Sequence, residues 1–154
     1  AWREPYVLKI NYSGEEIVLI NAHYKCCDGS EDRREQASQS LHNFVATHFQ
    51  NDKVIILGDL NDELIDDNNV FDVFINDNNY LFTDFLIATG ESAFWSFPSW
   101  PSHIDHILIT NELFDNHIQT STILIDNSMY GYFSTYEEYI SDHRPVGISL
   151  NITP

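Results

Sequence analysis

Three short segments place a carboxylate and a polar neighbour at the end of an apolar run: Gly58-Asp59-Leu60-Asn61, Ile104-Asp105-His106 and Ser141-Asp142-His143. An aspartate beside a histidine can form a catalytic dyad, in which the carboxylate orients an imidazole for proton transfer. Taken singly, each has a commoner explanation, a Gly-Asp turn or a locally satisfied Asp-His hydrogen bond. Their occurrence together, in this order, within 154 residues points to chemistry. The elements that must position them are legible. Val54-Ile55-Ile56-Leu57 reads as a short buried strand ended by Gly58, which delivers Asp59 to Asp62 at its C-terminal end, where open α/β sheets hold their ligands. Asp105 enters at the start of a core strand continuing through Ile109, and His143 precedes a final strand in which Val146, Ile148, Leu150 and Ile152 alternate.

The remaining elements frame these segments. Tyr6 to Ile10 alternates like a half-buried strand, Ser13-Gly14 makes a turn, and the continuous apolar run from Ile17 to His23 completes a hairpin. Ser30 is placed as a helix N-cap with Glu31 and Asp32 in the first turn, and Ala37, Leu41, Phe44, Val45 and His48 recur at helical spacing. Residues 66–79, rich in Asp and Asn, read as a solvated surface excursion holding at most one short helix around Val70 to Phe74. Ile118 to Ile125 reads as a strand, and the Tyr-rich stretch from Tyr130 to Tyr139 as a helical turn. No repeat or internal linker divides the chain, so one domain with one core is expected.

Seven Lys and Arg against 24 Asp and Glu leave a formal charge of −17, which excludes a protein that grips nucleic acid through a broad basic face. A polyanionic partner would require metal ions or a small local basic site. No apolar run approaches the roughly 18 residues of a membrane span, and the chain reads as soluble. It begins at Ala1 and leads directly into strand-like sequence, as a piece of a longer chain would. The adjacent Cys26 and Cys27 match no common zinc spacing and read as buried thiols ahead of a vicinal disulfide.

The order of His23 in Asn-Ala-His-Tyr-Lys, Gly-Asp59-Leu-Asn61-Asp, Ser-His-Ile-Asp105-His-Ile-Leu and Ser-Asp142-His143-Arg-Pro-Val resembles the C-terminal half of the endonuclease/exonuclease/phosphatase family, the deoxyribonuclease I-like enzymes. The match spans nearly the whole chain. The cysteine pair, the following Asp-Gly and the Arg-Arg helix start are most similar to the bacterial secreted nuclease branch, which implies an extracellular or periplasmic protein.

The resemblance implies specific roles. His143 would contact the scissile phosphate or act as general acid/base, with Asp105 fixing its tautomer. Asp59 would align or deprotonate the attacking water or assist a metal ion. Asn61, pointing the same way if the segment is extended, would donate to phosphoryl oxygens. Asp142 and Asp59 would ligate Mg²⁺ or Mn²⁺, hard cations suited to oxygen donors, with Ca²⁺ as an alternative structural ion. His23 matches a second phosphate-approaching histidine, and Lys25, on the same strand face by a period of two, joins Arg144 in a cationic patch. Lys25, Arg33, Arg34 and Arg144 fall near the site motifs, consistent with a phosphate funnel in an acidic body. His103 and His106 imitate a His-x-Asp-His metal motif, but the family carries a hydrophobic or aromatic residue where His106 stands, so both read as structural. His42, His48 and His117 receive no role.

The implied fold is α/β (α+β): half of a four-layer α/β/β/α sandwich with a mostly antiparallel sheet, residues 1–154 being the C-terminal half and the N-terminal half missing. A lone half would leave an apolar sheet face bare. Either the other half of the same protein or a sheet-to-sheet homodimer would cover it. The implied function is a metal-dependent phosphodiester hydrolase, an endonuclease on DNA or RNA with nucleic acid as its partner and no membrane. A phosphomonoesterase or lipid phosphodiesterase of the same family, or a catalytically incompetent fragment, are the alternatives.

Overall fold

In the computed structural model, which describes residues 3–27 and 29–152, strand alternation sorts the apolar side chains onto two faces of one sheet. Strands β1 (Tyr6–Tyr12) and β2 (Glu15–Asn21) form the expected antiparallel hairpin, closed by Ser13 and Gly14, both at positive φ. Helix α1 (Glu31–His48) crosses to β3 (Lys53–Asp59), which pairs parallel with β2. After α2 (Asp72–Ile75), β4 (Tyr80–Phe82) and α3 (Phe85–Ala88), strand β5 (Asp105–Thr110) inserts antiparallel between β3 and β4. The sheet order is β1-β2-β3-β5-β4, antiparallel throughout except between β2 and β3. Strands β6 (His117–Thr122) and β7 (Val146–Leu150) form a separate antiparallel ribbon, with α4 (Tyr132–Tyr139) between them in sequence.

Val18, Ile20, Val54, Ile56 and Leu108 face Leu41 and Val45 of α1 together with Phe71, Phe74 and Phe82. The opposite face presents Ile17, Ile55, Ile107 and Ile109, and the β6–β7 ribbon covers it through Val146, Ile148 and Leu150. The second face is thus covered at β3 and β5 and left open toward β1, where Leu8 is 44% exposed and Tyr6 and Tyr12 face solvent. No helix among the described residues is long and apolar enough to cross a membrane.

Several expectations are corrected. The 66–79 stretch is no surface excursion, because Val70, Phe71 and Phe74 are core residues. The Asn69 side chain anchors this segment, its amide nitrogen donating to the Leu64 carbonyl (2.7 Å) while its amide oxygen Oδ1 accepts from the Phe71 N–H (2.9 Å). A period of two or 3.6 cannot show this in so short a run. Ser30 stands at the N-cap of α1 but makes no side-chain cap bond; its carbonyl accepts from the N–H groups of Arg33 and Arg34. The inward face of α1 runs through Arg34, Ser38, Leu41 and Val45, while the rings of Phe44 and His48 meet at a tilt at its flank. The strand expected over 118–125 ends at Thr122 and gives way to a 3₁₀ turn.

One buried charge cluster joins the sheet to its loops. Asp84, fully buried just before α3, accepts from the Ile107 N–H (2.9 Å), from His103 Nε2 (3.0 Å) and from His106 Nδ1 (2.6 Å). His106 Nε2 lies 2.8 Å from the Asp62 carbonyl oxygen. Both neighbours of the His106 ring are acceptors, so both ring nitrogens must carry hydrogen and the residue is an imidazolium. Burial opposes that charge, but the Asp84 carboxylate outweighs it and pushes the His106 pKa up. Burial likewise opposes ionisation of Asp84, and the two imidazoles overcome it and hold the carboxyl well below the usual range.

Replacing Asp84 with Asn strands the buried imidazolium and should cost about 3–5 kcal/mol near neutral pH, read from urea unfolding. The Asp84 contribution is complete above the unfolded carboxylate value of about 4 and is lost as pH falls through its depressed folded value. The His106 contribution is complete below about 6.5 and is lost as pH rises through its raised folded value. The stability gap between wild type and Asp84→Asn should therefore be widest between those two pH values. A gap that is flat from acid to alkaline pH would show that no ion pair is present.

Candidate active site

Two acidic side chains are brought together by strand register alone. Asp59 ends β3 and Asp105 begins β5, and the antiparallel pairing sets them directly opposite each other. The third element is the segment after β2, held against the end of β3 by hydrogen bonds from the Ala22 N–H to the Leu57 carbonyl and from the Tyr24 N–H to the Asp59 carbonyl, both 2.9 Å. Gly58 permits this approach. Its φ is +139°, and a Cβ there would lie 2.0 Å from the Ala22 carbonyl oxygen. The result is His23 Nε2 at 3.2 Å from Asp59 Oδ2.

His143 arrives from the far side, in the turn between α4 and β7. Tyr136 donates its hydroxyl hydrogen to the His143 carbonyl (3.1 Å), and the His143 N–H donates to Ser141 Oγ (3.0 Å). The Phe97 ring stacks on the imidazole with centroids 4.7 Å apart. Buried Ser96 locks the two halves of this corner: its Oγ accepts from the N–H groups of Ile104 and Asp105, and its carbonyl accepts from the Arg144 N–H. His143 Nδ1 then sits 2.7 Å from Asp105 Oδ2, leaving Nε2 for a reacting group. Asp59, Asp105 and His143 each offer one ligand atom within 4.8 Å of the others.

The electrostatics follow from the crowding. Burial, reinforced by the adjacent Asp105 charge, pushes the Asp59 carboxyl up. The Asp105 hydrogen bond pushes the His143 imidazole up against the opposing effect of burial. Paired carboxylates of this kind favour a proton or a cation between them, and an imidazole held through Nδ1 can give or take a proton at Nε2.

Other expected residues are placed differently. Asn61 is not extended: at φ +53° it turns back, its N–H donating to Asp59 Oδ1 (3.1 Å) and its side-chain amide to the Tyr24 carbonyl (3.3 Å). Lys25 shares no strand face with His23, because β2 ends at Asn21; its ammonium lies 3.6 Å from Cys26 Sγ. Asp142 is exposed and stands outside the Asp59–Asp105–His143 group. Arg144 does not join Lys25 in a patch. Its guanidinium is taken up by Asp126 (2.6 and 3.2 Å) and the Ala93 carbonyl (2.9 Å). No disulfide joins Cys26 and Cys27, and neither thiol is buried. The Cys26 thiol is held below its ordinary pKa by Cys27 and Lys25.

Several supporting residues carried no sequence signal. Arg34, read as part of a surface funnel, is buried. It donates to Asp62 (2.6 Å) and to the carbonyls of Lys25 (3.1 Å) and Cys27 (3.2 Å), tying the His23 loop to the Asp59 loop. Ser96, Phe97 and Tyr136 lie in the aromatic stretches, where nothing in the spacing marks them as neighbours of His143.

The model of the Endonuclease/Exonuclease/phosphatase family matches residues 5–143. No curated protein matches the sequence. Among solved structures, D. rerio TDP2 complexed with a single-strand DNA product is similar with a TM-score of 0.71 and 12% identity, over 95% of this chain and 60% of that one. The human Nocturnin catalytic domain with bound sulfate is similar with a TM-score of 0.68 and 19% identity, over 96% and 51%. The Bacteroides thetaiotaomicron mannosyl-6-phosphatase is similar with a TM-score of 0.63 and 18% identity, over 91% and 53%. At these identities the likeness is one of fold, and the chain spans between half and three-fifths of the length of these structures. With a family match across nearly the whole chain, and the same mixed, mostly antiparallel fold in these structures, the chain belongs to the endonuclease/exonuclease/phosphatase family.

Proposed function

We propose that this chain carries a working part of a divalent-metal-dependent phosphodiester hydrolase that acts on nucleic acid, an endonuclease by preference. The observation that supports it is the Asp59–Asp105–His143 group, with His143 Nδ1 on Asp105. In this reading Asp105 holds the imidazole in one orientation, and His143 Nε2 hydrogen-bonds the phosphate or exchanges a proton with a reacting oxygen. Asp59 orients the attacking water, partly shielded from solvent so that its carboxylate is not dissipated by bulk water. His23 sits beside it as a donor to phosphoryl oxygens.

A hard cation fits the donor set, because the Asp59 carboxylate is destabilised by burial and by its neighbour Asp105, and an oxygen of each lies within 4.8 Å of the other. Asp59 and Asp105 would hold Mg²⁺ or Mn²⁺, which when bound would polarise the phosphate and acidify water. The open part of the second sheet face, at Tyr6, Leu8 and Tyr12, would take the remainder of a longer chain or a second copy.

The net charge of −17 favours a second reading, a phosphomonoesterase, since a long polyanion is repelled away from the site. A nuclease should lose substrate affinity steeply as salt rises, whereas a small phosphomonoester should show a shallow slope.

Nicking of supercoiled plasmid by this chain should appear with Mg²⁺ and vanish with chelator. A chain inert toward both plasmid and small phosphoesters would overturn the reading. His143→Ala and Asp105→Asn should each lower the cleavage rate by about 10²–10⁴-fold with far-ultraviolet dichroism unchanged. Full activity in His143→Ala would mean that the reaction runs elsewhere.

A further inference from the structure

The loop between β2 and α1 carries two adjacent cysteines that the candidate active site does not use. Cys26 is half-buried and Cys27 is exposed. The Lys25 ammonium lies 3.6 Å from Cys26 Sγ. A hydrogen bond from Cys27, with the positive charges of Lys25 and Arg3, holds the Cys26 thiol below its ordinary pKa and so raises its thiolate fraction near neutral pH. The backbone beneath the pair is strained. Cys27 has a φ of +78°, a left-handed conformation that residues other than glycine rarely adopt. The Arg34 guanidinium braces it there. Its Nη1 donates to the carbonyls of Lys25 (3.1 Å) and Cys27 (3.2 Å), which flank Cys26, while its Nε is fixed on Asp62 (2.6 Å).

We propose that Cys26 and Cys27 form a reversible thiol–disulfide exchange site for low-molecular-weight disulfides, and that closing the bond between them frees the His23 loop from Arg34. The Cys26 thiolate attacks one sulfur of the small disulfide, forming a mixed disulfide and expelling the first small thiolate. The Cys27 thiol then gives its proton to solvent and attacks Cys26 Sγ, which forms the bond between the two cysteines and expels the second. Two electrons pass from the protein thiols to the small disulfide, and two protons end on the two small thiols released. The bond so formed is a labile one. Neighbouring Cα atoms stand about 3.8 Å apart, closer than the roughly 4.4–6.8 Å of an ordinary disulfide, and a strained, partly exposed disulfide is readily reduced again. Ring closure also resets the torsions about both Cα atoms. That turns the Cys27 carbonyl away from Arg34 and loosens the segment that sets His23 on Asp59. This chemistry is independent of phosphoester hydrolysis and is read without it.

The 154-residue chain, reduced and then freed of reductant, is treated with oxidised glutathione near neutral pH and followed by intact mass. It should lose the mass of two hydrogen atoms and retain no glutathionyl group, and excess reduced glutathione should restore the starting mass. Cys27→Ser should stop with one glutathionyl group attached, because the thiol that resolves the mixed disulfide is gone. Cys26→Ser should take up its glutathionyl group about 3–10-fold more slowly than Cys27→Ser does, having lost the more ionised thiol. Far-ultraviolet dichroism confirms that both conservative variants fold. In hydrogen exchange, peptides covering residues 22–27 should exchange about 3–10-fold faster in the oxidised chain, as the Tyr24 N–H loosens from the Asp59 carbonyl, while the middle of β3 keeps its protection. The proposal is overturned if the wild-type chain is unreactive, ends with a stable glutathionyl group or joins into disulfide-linked dimers. It is equally overturned if Cys26→Ser reacts as fast as Cys27→Ser, if oxidation leaves exchange over 22–27 unchanged, or if β3 loosens to the same extent, which would mark general unfolding in place of a local release.

Discussion

The buried pair of Asp84 and His106 sets the phase of the strand on which the candidate site depends. Successive side chains on a strand point to opposite faces. With His106 locked to Asp84 on the helix-covered side, its neighbour Asp105 must face the other way, where β3 presents Asp59. A slip of one residue would bury Asp105 among Phe71 and Phe82 and turn an imidazolium toward the isoleucines of the opposite face. Such a slip would cost more than the pairing of two strands could return. The same cluster reaches the loop after β3 through the Asp62 carbonyl, and Asp62 holds Arg34, so one network of buried charge spans both loops of the site.

Charge is distributed by the fold more than by composition. A protein with 24 acidic residues has little difficulty neutralising seven bases, and most of its cations are consumed locally. Arg34 and Arg144 are structural: each satisfies a carboxylate and one or more backbone carbonyls in places that water does not reach freely. Acidic residues are also placed against each other where it counts, as Asp59 and Asp105 are. The cost of crowding two carboxylates is borne by the sheet, whose apolar faces are packed on both sides at β3 and β5. That rigidity lets an unfavourable juxtaposition persist, and unfavourable juxtapositions are where shifted acids and bases arise.

The covering of the second sheet face is asymmetric. The β6–β7 ribbon shields β3 and β5 and also delivers His143, since the turn preceding β7 is where that histidine sits. Toward β1 the face is open, and the solved structures of similar fold are longer than this chain by a large margin. Support for the site within the described residues therefore comes from the ribbon side, through Ser96, Phe97 and Tyr136.

The hairpin, the long helix, the two central strands and the final strand were all legible in the sequence, because each repeats a period over enough residues to be counted. The motif order around His23, Asp59, Asp105 and His143 was sufficient to identify the family. Short elements were not legible: β4 has three residues and α3 has four, too few for a period to show, and Phe71 and Phe74 looked like surface because Asp and Asn surround them. Asp84 carried no mark of its importance, since a buried ion pair is defined by what surrounds it. Equally, nothing local distinguishes Arg33, exposed in the first turn of α1, from Arg34, buried on Asp62. The sequence by itself determined which residue types could do chemistry and which strands would carry them. Only the tertiary structure decided which charges are neutralised and which remain available, because a charge's partners come from segments distant in the chain and are set by how those segments pack.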